Sequence, residues 1–171
     1  MWSSEVTNMI ITGIWETLYM TLVSTLVGYV IGLPMGIILT VSDKDGIKPN
    51  AVLYKILDVI ANIVRSVPFI ILLVLLIPFT RLVVGKSYGS TATIVPLVIA
   101  AAPYIARMVE SSLKEVDAGV IEAARSMGAS NFTIITKVML VEARTSLLVG
   151  ATITLGTILR SEEHTSELQS R

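Results

Sequence analysis

The side chains that could carry chemistry are few, and ten of the charged ones lie in one polar segment, residues 107–144. The chain has no cysteine and a single histidine, His164. It therefore lacks the ligands of a thiolate metal site and has only one residue that could serve in histidine catalysis. A phosphate-binding loop needs Gly, four residues and then Gly-Lys-Ser, and Gly85-Lys86-Ser87 supplies only the end of it. The sequence therefore predicts no catalytic, metal or cofactor-binding site in this chain.

The polar segment predicts instead a short helix, a sharp bend and a second helix. Asp117 is suited to cap the first helix, and Gly128 to the left-handed position that ends it. Ala123 and Ala124 are expected on the surface of the first helix, as a small, shallow face. Such a shape can dock into a partner's groove or lie on a bilayer as an amphipathic hairpin, and the residues alone leave both open. The second helix carries apolar residues at helical spacing: Ile134, Ile135, Val138 and Met139.

Composition indicates what must position this segment. Hydrophobic residues make up 53% of the 171 positions, charged residues 15%, and the mean hydropathy is +0.78. A soluble domain carries about 25% charged residues, so too little polar surface is available to cover a water-soluble particle. We expect an all-α, polytopic bundle of transmembrane helices with the lipid bilayer as its solvent. The net charge of zero argues against a nucleic-acid partner.

Four apolar stretches are candidate membrane spans, since roughly 20 residues cross the hydrocarbon core. The second stretch contains Asp58 and Arg65, which we expect to pair with each other near the interface, and Pro68 and Pro78, which should bend or end the helix. The fourth stretch starts like the others but is too short to cross the core. The stretches are 17–42, 56–77, 91–109 and 146–159.

Gly28, Gly32 and Gly36 line one face of the first predicted span. Small residues at this spacing let another helix approach closely. Packing within one subunit is the favoured interpretation, and a dimer seam is the alternative.

Lysine and arginine positions predict the orientation. With alternating spans, nine of them fall on one side (Lys44, Lys48, Lys55, Arg65, Arg107, Lys114, Arg125, Lys137 and Arg144) and two on the other (Arg81 and Lys86). The positive-inside rule then places the 107–144 loop in the cytoplasm and the N-terminus outside.

A family resemblance lies within this loop. Glu122-Ala123-Ala124, three residues, Gly128, nine residues and then Val138-x-Leu140 resembles the signature loop of ABC importer membrane subunits. The family has isoleucine where this chain has Val138 and proline where it has Val141, so the entry angle of the next helix is less defined. The resemblance implies that Glu122 to Gly128 docks in a cleft of a separate cytoplasmic ATPase, with Val138 and Leu140 completing the motif.

A closer resemblance, to the methionine importer permeases, covers most of the chain. It is carried by residues 65–69, 92–97, 101–107 and 122–128. It implies a five-span permease of the bacterial inner membrane that forms a homodimer, two ATPase subunits that bind ATP and Mg, and a methionine-capturing lipoprotein. The substrate follows from resemblance alone, and substrate-contacting residues are not predicted.

Residues 160–171 differ in composition from the rest of the chain. The apolar pattern stops at Leu159, and the twelve residues that follow resemble the translated read-through of a common sequencing adapter. We therefore expect a transmembrane domain over 1–159 that natively continues, and a non-native tail over 160–171.

Other functions stay open at this point. An ABC permease for another small amino acid fits the same loop. A secondary-transporter fragment would show mid-span ionisable residues or an inverted repeat, and neither is evident. In a structural membrane subunit the Glu122–Gly128 hairpin would only anchor a complex, and nucleotide-driven transport would be absent.

Overall fold

The computed structural model describes the backbone of residues 4–86 and 89–169 and the side chains of residues 5–86 and 89–160. Every regular element in these ranges is helical, which confirms the all-α prediction. Ser87, in the predicted outer loop, and the last two residues of the tail lie outside the described residues. The helices are α1 (Ser4–Ser42), α2 (Ala51–Ser66), α3 (Phe69–Val84), α4 (Ser90–Lys114), α5 (Ala118–Ser126), α6 (Asn131–Thr133), a π-helical segment (Ile134–Met139), α7 (Leu140–Glu142) and α8 (Arg144–Gln169).

Two of these helices, α1 and α4, are long and apolar enough to cross a membrane by themselves. Two bent pairs can each form one more span: α2 with α3, bent by 109°, and residues 131–142 with residues 144–160, bent by 68°. The helices also extend further than the charge pattern predicted. α1 begins at Ser4 rather than near residue 17, and α4 continues past Val109 to Lys114.

The second predicted span is two helices rather than one. Pro68 disfavours a helical conformation at the residue before it, and Val67 is accordingly extended, with φ −82° and ψ 124°. Ile71 N and Leu72 N then donate to Pro68 O at 3.0 and 3.1 Å, which starts α3 in its new direction. Pro78 lies inside α3 and does not end it.

Helix α4 is the centre of the bundle, since α1, α2, α3 and α8 all pack against it. Its buried face runs through Leu97, Ile105, Val109 and Leu113, each about 1% exposed or less. The core of the protein therefore lies around one helix that the other spans share.

The glycine face of α1 lies against α4 within the same chain. A Cβ at Gly32 would lie 2.7 Å from Ala102 O, and one at Gly36 would lie 2.5 Å from Ala106 O. Gly28 faces Ile105, with 3.0 Å to Cδ1. The three glycines allow the two backbones to approach closely, which is the intrasubunit packing that the sequence favoured over a dimer seam.

Helix α8 passes residue 160 without a break, so the backbone is helical on both sides of the predicted boundary. The origin of residues 160–171 stays a prediction, because a helical backbone is compatible with either origin.

Candidate functional site

The segment from Val116 to Arg144 contains the predicted ATPase-docking residues and is termed the coupling loop. Its first helix begins as the sequence indicates. Asp117 Oδ1 accepts a hydrogen bond of 2.7 Å from Gly119 N, which confirms Asp117 as the N-cap of α5. Val116, just before the cap, is buried, and Ile121, on the first turns of α5, packs against the same core cluster. These contacts fix the direction in which the chain enters α5.

The bend at Gly128 is a left-handed helix terminus. Gly128 has φ +79°, its N–H donates to Arg125 O at 3.0 Å, and Ala129 N donates to Ala124 O at 3.1 Å. This pair of bonds is the Schellman arrangement, which satisfies the last carbonyls of a helix. Ser130 Oγ then accepts from Thr133 N at 3.2 Å and caps the next helix. Gly128 thus has the backbone conformation that the sequence predicted for it.

Only part of the predicted small-residue face is on the surface. Glu122 and Ala123 are exposed, whereas Ala124 is 5% exposed and belongs to the core cluster with Ile134 and Met139. The prediction that Ala124 lies on the surface was therefore wrong: α5 turns this side chain toward the arm that follows the bend. A methyl group is small enough to let the two elements pack closely.

Two apolar side chains that were not predicted as functional flank the bend. Met127 is 82% exposed and Phe132 is 76% exposed. Their position on either side of Gly128, in a polar segment, was the signal that could have identified them. Large apolar side chains with that exposure, close in sequence to Glu122 and Ala123, are typical of a surface that contacts a protein partner or a membrane.

The arm after the bend was predicted as an ordinary helix, and its central half, Ile134–Met139, is π-helical. Ile134 and Met139 are buried, and Ile135, Val138 and Leu140 are partly buried against the core cluster. Val138 and Leu140 therefore hold the arm to the bundle, while the exposed residues of α5 remain on its surface. A π-helical turn accommodates an extra residue, and such turns are frequent at functional sites.

A charge cluster lies beside this loop, at the end of α4. Arg107 pairs with Asp58 of α2, and its Nη1 lies 2.8 Å from Glu110 Oε2. Lys114 Nζ lies 2.8 Å from Glu110 Oε1 and 2.6 Å from Asp43 Oδ2 at the end of α1. The expected pairing of Asp58 with Arg65 was therefore wrong: Arg107, 49 residues away in sequence, pairs with Asp58 instead.

The cluster explains how α4 accommodates charged residues that were predicted to lie in a loop. The side chain of Glu110 is only 6% exposed, and it also accepts a hydrogen bond of 3.2 Å from Tyr54 OH. Buried charges are tolerated when they are paired and hydrogen-bonded. Outside the spans, the hydrogen bond from Lys114 lowers the pKa of Asp43, because it stabilises the ionised carboxylate.

The charge cluster and α5 enclose a common cavity of about 440 Å³. Asp43 and Lys114 line it on one side, and Glu122 and Arg125 on the other. The coupling loop is thus adjacent to the ionic contacts that join α1, α2 and α4.

Comparison with known proteins identifies the family of the chain. The family model of the binding-protein-dependent transport system inner membrane component matches residues 28–162. The D-methionine transport system permease protein MetI of Salmonella typhimurium is 54% identical over 151 residues, which cover 88% of this chain and 70% of that protein. The probable D-methionine permease MetI of Vibrio cholerae is 46% identical over 158 residues, 92% of this chain and 70% of that protein.

Solved structures show the same fold. A chain of the inward-facing MetNI methionine ABC transporter superposes with a TM-score of 0.94 at 49% identity and covers 98% of this chain and 77% of its own length. A chain of an amino acid ABC transporter solved with histidines has a TM-score of 0.76 at 23% identity, which supports the fold alone. With its helix–bend–helix loop between α4 and α8 and a family match over most of its length, this chain belongs to the inner membrane components of binding-protein-dependent transport systems.

Proposed function

We propose that this chain is the membrane-spanning permease subunit of an ATP-driven importer and that its substrate is methionine. The observation that carries the proposal is the left-handed turn at Gly128, which presents Glu122 and Ala123 on an exposed helix beside the bundle. The substrate is supported by relatives named as D-methionine permeases at 54% and 46% identity.

The chain forms the translocation path for the substrate and the contact surface for an ATPase. Partner proteins hydrolyse ATP and capture the substrate. Two copies of an ATPase subunit bind ATP and Mg and dock on the surface formed by Glu122, Ala123, Met127 and Phe132. A second copy of the permease completes the path, and a lipoprotein delivers methionine. For this chain itself we expect no catalytic residue and no cofactor.

The orientation in the bacterial inner membrane follows from the lysine and arginine distribution, with the N-terminus outside and the 107–144 loop in the cytoplasm. Since the chain has no native cysteine, single cysteines report the side directly. An impermeant thiol reagent added to intact cells is expected to label Lys86→Cys and to leave Lys48→Cys and Ser126→Cys unlabelled until the cells are opened. External labelling at Ser126 would contradict both the orientation and the docking surface.

Coupling is tested by changing the bend in the assembled transporter. Valine is strongly disfavoured at φ +79°, and such backbone strain is on the order of 1–3 kcal/mol, so Gly128→Val should displace α5 and reduce ATP-driven methionine uptake by roughly tenfold or more. Glu122→Lys should also reduce uptake, by reversing the charge of an exposed docking residue. Uptake is measured in proteoliposomes that contain the ATPase and the lipoprotein.

Gly85→Val is the matched control. Gly85 has φ +78° and open space around its Cα, as Gly128 does, but it lies between α3 and α4, away from the coupling loop. The strain is therefore similar, and uptake should fall far less than in Gly128→Val at equal membrane insertion. Equal losses in the two variants, or unchanged uptake in both coupling variants, would show that the loop does not transmit ATP-driven motion.

A further inference from the structure

Helix α2 carries an apolar face that the bundle leaves uncovered. Five aliphatic side chains share one side of the helix at the spacing i, i+4, i+7, i+8 and i+11, and each is between 44% and 70% exposed. They are Val52, Ile56, Val59, Ile60 and Ile63. Four of them, together with Ala51 and Lys55, line a shallow groove of about 550 Å³. A contiguous face of this kind marks a contact with a protein or a membrane.

The opposite side of α2 packs against the bundle. Ala61 is fully buried, and Tyr54 OH donates to Glu110 Oε1 at 3.2 Å. Asp58 pairs with Arg107 of α4. These contacts fix the rotation of α2 about its own axis, so the apolar face points away from α4.

The direction of α2 suits the surface of a bilayer. Helix α3 is free of charge up to Arg81 in its last turn, so it carries the membrane crossing of the pair, and α2 meets it at 109°, within about 20° of a right angle. A helix perpendicular to a span runs along the membrane plane. The 16 residues of α3 cover about 24 Å, roughly 6 Å less than the hydrocarbon core of about 30 Å. Interfacial helices are sunk by about 5–10 Å, which accounts for the difference.

The charges near the start of α2 indicate which lipid it contacts. Lys48, in the loop before α2, and Lys55, at the edge of the groove, are both exposed. Within the described residues neither lysine makes an ion pair, whereas Lys44 has Asp45 at 4.0 Å. Two unpaired ammonium groups beside an apolar groove are complementary to a lipid with an anionic headgroup and acyl chains.

A second copy of the chain fits this face less well. A two-fold contact would place the same surface of α2 against itself. The only acidic residue of α2 is Asp58, and Arg107 already pairs with it. The face therefore offers no carboxylate to a lysine of the other copy, whereas a phospholipid supplies a phosphate.

We propose that α2 is an interfacial helix that binds an anionic phospholipid of the cytoplasmic leaflet, with the acyl chains on Ile56 and Ile60 and the headgroup on Lys48 and Lys55. The choice of leaflet rests on the proposed orientation, and the lipid contact itself does not depend on it. The lipid holds the turn between α2 and α3 at the membrane surface.

The test uses the purified permease–ATPase complex in detergent, with a bimane fluorophore on Ile63→Cys and no other accessible cysteine. Ile63 lies on the apolar face one turn beyond the groove, so the label reports lipid bound there. Phosphatidylglycerol and phosphatidylcholine with the same brominated acyl chains are titrated as quenchers. Half-maximal quenching should require roughly tenfold less phosphatidylglycerol than phosphatidylcholine, because two lysines attract the anionic headgroup.

Three kinds of variant separate charge from apolar contact. Lys48→Gln and Lys55→Gln should each raise the required phosphatidylglycerol concentration by roughly fivefold, the effect of one lysine near an anionic surface, and leave phosphatidylcholine unchanged. Ile56→Ser should weaken the binding of both lipids and preserve their ratio, since it removes apolar contact alone. Lys86→Gln is the matched control, because Lys86 is also exposed but follows α3, at the end away from α2. It should change the binding of neither lipid.

Two results would contradict the lipid site. Equal quenching by the two lipids, or lysine variants that bind phosphatidylglycerol as the unmodified complex does, would overturn the anionic headgroup contact. Quenching by neither lipid would show that protein covers the face, as in a contact with a second copy, and would overturn the proposal as a whole. Methionine uptake does not enter the experiment, so failure of the lipid site leaves the proposed function intact.

Discussion

Replacing Arg107 by leucine is expected to destabilise the permease by about 3–5 kcal/mol, the range found when one partner of a buried ion pair is removed. In the charge cluster, the three carboxylates of Asp43, Asp58 and Glu110 share two cations, Arg107 and Lys114. Without the guanidinium, Lys114 alone must balance all three carboxylates, and the side chain of Glu110 is only 6% exposed. The measurement is the free energy of unfolding in mixed detergent micelles.

The matching change at the carboxylate should be milder. Glu110→Gln removes the shared carboxylate but leaves two complete pairs, Arg107 with Asp58 and Lys114 with Asp43. Asp58→Asn in the Arg107→Leu background should recover part of the loss, because it removes the carboxylate that was left unpaired. Arg81→Leu, at an exposed position, should stay within about 0.5 kcal/mol of the unmodified protein. If Glu110→Gln proves as costly as Arg107→Leu, the imbalance of charge is not what determines stability here.

Gly32→Ala and Gly36→Ala are expected to destabilise the contact between α1 and α4 by about 1–3 kcal/mol each, the usual cost of overpacking. An added Cβ would lie 2.7 Å from Ala102 O or 2.5 Å from Ala106 O, and a backbone carbonyl cannot move aside as a side chain can. Either the two helices separate or α1 shifts along α4. Thermal unfolding in detergent measures the result.

Position along α1 supplies the controls. At Gly28 the nearest atom is the flexible end of Ile105, at 3.0 Å, so Gly28→Ala should be milder. At Gly13 a Cβ meets nothing within 4 Å, so Gly13→Ala should gain up to about 1 kcal/mol from helix propensity. From most to least stable, the expected order is Gly13→Ala, Gly28→Ala and then Gly32→Ala and Gly36→Ala. A Gly32→Ala variant as stable as Gly13→Ala would mean that the close approach is not required.

Features set by neighbours in sequence were predictable. Asp117 caps α5 because its carboxylate can accept from a free N–H group at the start of the helix. Gly128 ends α5 because a residue without Cβ adopts φ > 0 easily. Both requirements are local. The interruption at Pro68 is local in the same way, since proline restricts the residue before it. The position of each could therefore be read from a few adjacent residues.

Features set by distant neighbours were not predictable. Asp58 had a cation on its own helix, Arg65, and nothing in the sequence showed that folding brings Arg107 closer. The burial of Ala124 depends on the arm that packs against it, and the π-helical geometry of that arm was not predicted from its residues. Helices α2 and α3, which meet at 109°, both pack against α4, a helix that is distant from α2 in sequence. These features depend on tertiary packing, which cannot be read from helical periodicity.

The short connection between α4 and α5 has a mechanical consequence. Residues 115–117 alone join the two helices, Val116 N donates to Leu113 O, and Asp117 is held as a cap. Because this linker is short and hydrogen-bonded, we expect a displacement of α5 to be passed to α4 rather than absorbed between them. Since α1, α2, α3 and α8 all pack against α4, a displacement of α4 would then reach every span that contacts it.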